Sequence, residues 1–257
     1  MNVLDLLRLT HQVALITGGS RGLGLQIAQA LGEAGARVII TSRKQADLHE
    51  AVAQLKAQGI DATAIPCDIA EIPTLQPLVE RILATHGRID ILVNNAGATW
   101  GAPTGEYPLN GWRKVMETNV TGLFYLTQAV TNHMIARGGG GRVINLASVA
   151  GLQGVPESIL PAVGYSASKG AVIALTRDLA VKLGTHGITV NAIAPGFFPT
   201  KMSQAVIAMN EEKLLETIPL GRFGDEDDLK GAVLLFASAA GKYITGQVLA
   251  IDGGETA

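Results

Sequence analysis

Val13-Ala14-Leu15-Ile16-Thr17-Gly18-Gly19-Ser20-Arg21-Gly22-Leu23-Gly24 joins an unbroken apolar run to a glycine-rich turn. The run is too continuous for a strand with one wet face, so Val13 to Thr17 reads as a strand covered on both sides. The glycines at 18, 22 and 24 fall in the spacing G-x-x-x-G-x-G, and a helix is predicted to follow from about 23 to 34, with Gly35 as its stop. Backbone in such a turn can approach a pyrophosphate that a Cβ would hold off, and the helix behind it offers free N–H groups and its positive dipole end. No Gly-Lys-Ser/Thr follows, so the turn is not a P-loop.

Outward from this unit the same alternation repeats. Strands are predicted at 37–41, 61–65, 89–93, 141–146, 188–193 and 247–251. Helices are predicted at 44–58, 72–86, 110–136, 165–184, 201–217 and 225–238. Strands separated by helices of this length pair in parallel through right-handed crossovers. The expected fold is α/β: one doubly wound parallel sheet with helices on both faces, in a single domain spanning residues 1–257. The Gly138–Gly141 run sits between a helix and a strand and reads as a connection inside that domain.

Composition narrows the function. With 20 Lys plus Arg against 22 Asp plus Glu, the chain offers no electrostatic case for nucleic acid or anionic lipid. No apolar run approaches the ~18 residues of a membrane span, and the first ten residues lack the features of a signal peptide. A cytoplasmic protein acting on a small molecule is the expectation. One cysteine, Cys67, excludes an internal disulfide, and no clustered ligands suggest a metal. Charged residues are only 16% of the chain, below the ~25% of ordinary domains, which suggests that sister subunits cover part of the surface.

The second strand tests which dinucleotide the turn would hold. NAD sites place an acid there for the ribose hydroxyls. Here the strand ends Thr41-Ser42-Arg43-Lys44, with no acid before Asp47. Arg43 has a planar fork suited to phosphate, and Arg21 could reach the same place. NADP is favoured over NAD, although Arg43 and Lys44 could instead begin a solvated helix. Asp68, in Cys67-Asp68-Ile69, could meet an adenine amino group or cap the next helix. Asn94-Asn95-Ala96-Gly97 could lie against a ribose or form a simple turn.

A reactive set follows. Tyr165 and Lys169 are four positions apart at the start of a predicted helix, hence on one face. An ammonium beside a phenol favours the phenolate and is expected to lower its pKa, suiting it to acid–base work on an alcohol–carbonyl pair. Ser148 follows the strand at 141–146, where its hydroxyl could meet a substrate oxygen. The elbow pattern G-x-S-x-G is absent, so Ser148 is a weak nucleophile candidate. Asn119 is a mediocre helix residue inside a long predicted helix, which suggests a buried polar role.

Taken together, Thr17-Gly18-x-x-x-Gly22-x-Gly24, Asn94-Asn95-Ala96-Gly97, Asn119, Ser148, Tyr165-x-x-x-Lys169, Pro195-Gly196 and Ile251-Asp252-Gly253-Gly254 resemble the short-chain dehydrogenase/reductase family across essentially the whole chain. The likeness is nearest to the NADPH-dependent 3-oxoacyl reductases and the gluconate 5-dehydrogenase-like members. It implies strand order 3-2-1-4-5-6-7 and a homotetramer. It implies that Tyr165 exchanges a proton with the substrate oxygen, that Lys169 lowers its pKa and bonds the nicotinamide ribose, that Ser148 holds the substrate oxygen and that Asn119 holds a relay water. It further implies that Gly18, Ser20, Arg21, Gly22, Leu23 and Gly24 line the phosphates and that Ser42, Arg43 and Lys44 meet the 2′-phosphate. Asp68 and Ile69 would flank adenine, Asn95, Ala96 and Gly97 the ribose, and Pro195, Gly196 and Thr200 the nicotinamide end.

Two departures bear on the substrate. Ser148 and Tyr165 are 17 positions apart, longer than is usual in the oxoacyl reductases, and the extra stretch is the two-proline loop Gly154 to Pro161. Residues 198–217 match the family's substrate lid, and Trp100 could wall the pocket or simply pack. Val155, Ile159, Leu160, Phe197, Phe198 and Met202 make these segments apolar, with few basic groups for a sugar carboxylate. That favours a 3-oxoacyl-like ketone over a sugar acid or polyol. A catalytically silent dinucleotide-binding regulator is the third reading, disfavoured by the complete Asn119, Ser148, Tyr165 and Lys169 set.

Overall fold

The computed structural model describes residues 2–257. Seven strands, β1 (Val13–Thr17), β2 (Arg37–Ser42), β3 (Ala62–Pro66), β4 (Ile91–Asn94), β5 (Gly141–Leu146), β6 (Ile188–Pro195) and β7 (Val248–Ile251), form one sheet. The order is β3-β2-β1-β4-β5-β6-β7, with every pairing parallel, as the sequence resemblance implies. The helices are α1 (Val3–Leu6), α2 (Gly22–Glu33), α3 (Gln45–Ala57), α4 (Leu75–His86), α5 (Leu109–Met116), α6 (Leu123–Arg137), α7 (Val163–Gly184), α8 (Gln204–Thr217) and α9 (Lys230–Ala237).

Period-two alternation along β1 feeds two separate cores. Ala14 and Ile16 pack with Ile27 and Leu31 of α2, Leu48 and Leu55 of α3, and Val233 and Phe236 of α9. Val13 and Leu15 point the other way, toward Leu78 and Ile82 of α4 and Leu126, Val130 and Met134 of α6. Both faces are thus covered, as a parallel sheet requires. Its carboxyl ends are where a ligand cleft can form between strand ends.

A polar ladder crosses the sheet interior. Asn94 and Asn145 are register partners on β4 and β5. Asn94 donates to Asn145 at 2.8 Å and to Thr127 of α6 at 2.9 Å, and Asn145 donates to Thr176 of α7 at 2.9 Å. Buried polar groups must be paired, so this ladder fixes both helices against the carboxyl ends of the two strands.

Several boundaries differ from the sequence expectation, among them α4, which starts at Leu75 rather than 72 after a single 3-10 turn. Strand β4 begins at Ile91 rather than 89, because Asp90 is held by side-chain partners before the strand starts. The single helix expected at 110–136 is α5 and α6 joined by a π-helical turn, Glu117–Gly122. Helix α9 starts at Lys230 rather than 225, since the carboxylate of Asp228 folds the preceding residues into a turn through Arg222 and the Asp225 N–H. Helix α8 starts at Gln204 because Ser203 accepts from Thr200 N–H at 3.0 Å in a preceding turn. Among the described residues, no helix is long and apolar enough to cross a membrane.

At the amino end of the sheet, Asp90 ties three segments together. It accepts from Val13 N–H at 3.0 Å, from Arg88 at 2.8 and 2.6 Å, and from Arg137 of α6. Burial acts to raise its pKa, but the two guanidinium groups and the backbone donor outweigh that and hold the carboxyl below its ordinary value. Asp90→Ala would strand Arg137 and a strand N–H, and is expected to cost about 3 kcal/mol in urea unfolding. A loss below about 1 kcal/mol would show that the cluster is not a structural tie.

Candidate active site

A cavity of about 1600 Å³ opens along the carboxyl edge of the sheet, roomy enough for a dinucleotide and a small substrate together. Its floor at one end is the glycine turn. Gly18 has φ +65°, and a Cβ there would lie 2.9 Å from Asn95 Nδ2. A Cβ at Gly24 would run into the Gly18 carbonyl, so the helix enters closer to the strand than any side chain permits. Thr17 and Asn95 lock this geometry. Asn95 donates to Thr17 O at 2.8 Å and Gly18 O at 3.1 Å, while Thr17 Oγ1 accepts from the N–H groups of Asn95 at 3.0 Å and Ala96 at 2.9 Å. Arg21, the residue before α2, supplies no side-chain cap. The helix therefore presents its first-turn N–H groups and dipole to the cavity, the arrangement an anion needs.

The residues expected around a 2′-phosphate come together. Arg21, Ser42, Arg43 and Lys44 all line the cavity, as does Ser20 of the glycine turn. The Ser42 hydroxyl is buried without a hydrogen-bond partner, an orphan that a phosphate oxygen would satisfy. Arg21 lies 3.3 Å from Asp47, and Arg43 lies 4.0 Å from Asp68 while remaining largely exposed. The acids nearby are thus occupied by the two cations. These residues fit NADP. Asp68 also accepts from Ala70 N–H at 3.0 Å in a turn of its own. It faces the cavity with Ile69, and Leu23, Ala96, Gly97, Pro195, Gly196 and Thr200 line the remaining length.

At the other end stand Ser148, Tyr165 and Lys169. Ser148 follows β5 and accepts from Ala150 N–H at 3.2 Å, which fixes its hydroxyl at the strand end. Lys169 is 5% exposed, donates to Leu146 O at 2.5 Å and lies 5.5 Å from the centre of the Tyr165 ring. Burial pushes the lysine down to about 8. The phenol differs from the sequence expectation. Burial raises the Tyr165 pKa, with the neighbouring Ser148 hydroxyl drawing it down, and the net shift is upward. Desolvation disfavours the charged form of each group and outweighs the ammonium's pull on the phenol. The upward shift favours the neutral phenol, the form that can donate a proton.

Asn119 sits in the π-helical turn and is buried. Its amide donates to Ala98 O and to Ser168 Oγ, both at 2.9 Å, and its oxygen accepts from Ala98 N–H at 2.7 Å. Both donors and one lone pair are engaged, so the side chain is a tie between the segment after β4 and α7, with one lone pair left for any relay water. Such π-turns inside α-helices often mark functional sites. Trp100 does not wall the cavity; it packs on Gly111 under Lys114, whose Nζ lies 5.3 Å from the ring centre. Phe198 both lines the cavity and packs into the core. The sequence reading missed three basic groups, Arg113, Lys114 and Lys201, which line the cavity with Asn210. Their only signal was i, i+1 placement on an amphipathic helix and in the lid, which does not distinguish a lining from a solvated face. Among the described residues, no group of three or more His, Cys, Asp or Glu is placed to hold a metal.

The model of the short chain dehydrogenase family matches residues 12–211. The chain belongs to this family. Among relatives, this dehydrogenase is 39% identical over 254 residues to gluconate 5-dehydrogenase of Gluconobacter oxydans strain 621H, covering 98% of this chain and 97% of that protein. It is 41% identical over 253 residues to the rhamnolipids biosynthesis 3-oxoacyl-[acyl-carrier-protein] reductase of Pseudomonas aeruginosa, covering 96% of each. It superposes with TM-score 0.93 on a gluconate 5-dehydrogenase from Burkholderia cenocepacia J2315 crystallised with NADP and tartrate, 38% identical and covering 99% of both chains.

The buried lysine gives the dehydrogenase a measurable pH signature. Between about 8 and the unfolded value of 10.5, the unfolded chain holds a proton at Lys169 that the folded chain lacks, so stability from this group rises with pH across that window. The gain is roughly 2–4 kcal/mol. Urea unfolding at pH 8 and pH 10 should show this slope in the parent and lose it in Lys169→Met; parallel slopes would refute the burial of the amine.

Proposed function

We propose that this dehydrogenase is an NADP(H)-dependent oxidoreductase that interconverts a carbonyl and a secondary alcohol, acting chiefly as a reductase of a 3-oxoacyl-like ketone. The observation that carries this reading is the convergence of Ser148, Tyr165 and Lys169 in the same cavity as the glycine turn and the orphaned Ser42 hydroxyl. Nicotinamide, when bound, supplies the hydride. The chain's own residues do the rest. Ser148 holds the carbonyl oxygen, and Tyr165 delivers its phenolic proton to that oxygen as charge develops. Lys169 steadies the phenolate with a positive charge. Asn119 acts as a positioning residue, holding Ala98 and Ser168, and through Ser168 the main chain of Tyr165. Gly18 to Gly24 cradle the pyrophosphate, Ser42, Arg43 and Lys44 meet the 2′-phosphate, Asp68 and Ile69 flank adenine, Asn95 to Gly97 the ribose, and Pro195, Gly196 and Thr200 the nicotinamide end.

The apolar lining of Val155, Ile159, Leu160, Phe197, Met202, Val206 and Met209 supports an acyl-type ketone. We read the residues after Phe198, through α8, as a lid over it, on one domain. Arg113, Lys114 and Lys201 in the same cavity support the second reading, a sugar-acid dehydrogenase. NADPH absorbance with 3-oxoacyl thioesters and keto-sugar acids decides between them. Our reading also includes a homotetramer in the cytoplasm, where NADPH is available. The unpaired edge of β7 and the exposed Leu109, Trp112, Tyr125, Val163 and Val181 on α5, α6 and α7 support the assembly.

Two substitutions test the assignment. Tyr165→Phe should cut kcat by about 10²–10⁴-fold and leave NADPH binding intact by fluorescence titration; a rate within tenfold of the parent would remove Tyr165 from the acid role. Arg43→Ala should weaken NADPH binding about tenfold without changing NADH binding, and an unaltered NADPH-to-NADH ratio would refute a 2′-phosphate contact.

A further inference from the structure

Two loops wall the substrate end of the cavity, and neither belongs to the sheet. One follows β4 and contributes Thr99 and Gly101; the other precedes α7 and contributes Val155, Ile159, Leu160 and Pro161. The second loop is stiffened from within. Pro156 O accepts from the N–H groups of Ile159 at 2.9 Å and Leu160 at 3.0 Å, and Leu160 O from Ala162 N–H at 2.8 Å. A one-turn coil bounded by two prolines holds its own shape, but nothing in that turn sets its distance from the facing loop.

That distance is set by contacts between the loops. Ala102 N–H donates to Pro161 O at 2.8 Å. Farther out, one carboxylate oxygen of Glu157 accepts both the backbone N–H of Thr104 at 2.9 Å and its hydroxyl at 2.5 Å. Bonds to an ionised acceptor are shorter and stronger than neutral ones. The two bonds from Thr104 hold the Glu157 carboxyl below its ordinary value. Glu157 itself lines the cavity, beside the apolar residues it carries.

We propose that Glu157 is a specificity-determining positioning residue: by clamping Thr104 across the cavity mouth, it fixes the gap between the 99–104 and 155–161 loops and so sets which ketone substituents reach Tyr165. The inference rests on the carbonyl-reductase reading above. It assigns no proton transfer to Glu157 and no role in holding the dinucleotide, which the glycine-turn end of the cleft would hold. It also accounts for the long insertion between Ser148 and Tyr165, whose extra residues reach across to the facing loop and are anchored there.

The test compares Glu157→Ala, Glu157→Gln, Thr104→Val and Thr104→Ser with the parent, using straight-chain and branched ketones of increasing size at saturating NADPH. Glu157→Ala should raise KM about tenfold, keep kcat within about twofold, and flatten the ranking of ketones by size. The Kd for NADPH should not move. Thr104→Ser, which keeps both donors, should match the parent. Thr104→Val and Glu157→Gln, which each retain part of the clamp, should fall between. Hydrogen exchange at the Thr104 amide and through residues 154–161 should accelerate in Glu157→Ala. An unchanged KM and ketone ranking, or a drop in kcat together with NADPH affinity, would overturn the proposal. If the parent reduces no ketone, the carbonyl-reductase reading fails; exchange in Glu157→Ala then judges the clamp separately, and unaltered protection would refute it.

Discussion

Covering both faces of a parallel sheet leaves only its ends for chemistry, and the rest of this molecule follows from that constraint. Side chains of β1 alternate into two cores, so neither face can host a ligand. At the carboxyl edge, strand backbone ends and the next residues are free to point into the cavity. Asn95 comes one residue after β4, Ser148 two after β5, and Gly196 one after β6. A slip of one residue in any strand would turn each of these away from the cleft. The buried Asn94–Asn145 ladder, with its threonine partners on α6 and α7, makes such a slip costly, because every member would lose a partner.

The same burial sets the chemistry. Tyr165 and Lys169 share a cleft that disfavours charge on either, so the phenol is held up and the amine down. A neutral phenol is the form that gives a proton to a carbonyl oxygen. The Leu146 carbonyl accepts a hydrogen bond from the lysine, which makes β5 both the carrier of Ser148 and the anchor of the amine.

Much of this was legible in the sequence because it depends on local pattern. The continuous run Val13–Thr17 marks a strand covered on both sides, and the glycines at 18 and 24 mark backbone approach that a Cβ prevents. Tyr165 and Lys169 at one helical turn share a face whatever surrounds them. The π-turn at Glu117–Gly122 was not legible, since the partners of Asn119 within it, Ala98 and Ser168, are distant in sequence. Trp100 was equally open: an aromatic after a strand lines a cleft or packs on a helix according to where Gly111 lies. Arg113 and Lys114 look like any exposed helical pair until the cleft is seen beside them.

The chain's local chemistry by itself determined the α/β class, the glycine turn, the cation-bearing end of β2 and the Tyr165–Lys169 pair, because each needs only near-neighbour spacing or steric rules. Tertiary structure alone decided the direction of the Tyr165 shift, the partners of Asn119, the orphaned Ser42 hydroxyl and the Glu157–Thr104 clamp. Those depend on desolvation and on contacts between residues tens of positions apart, and neither quantity is a function of local sequence.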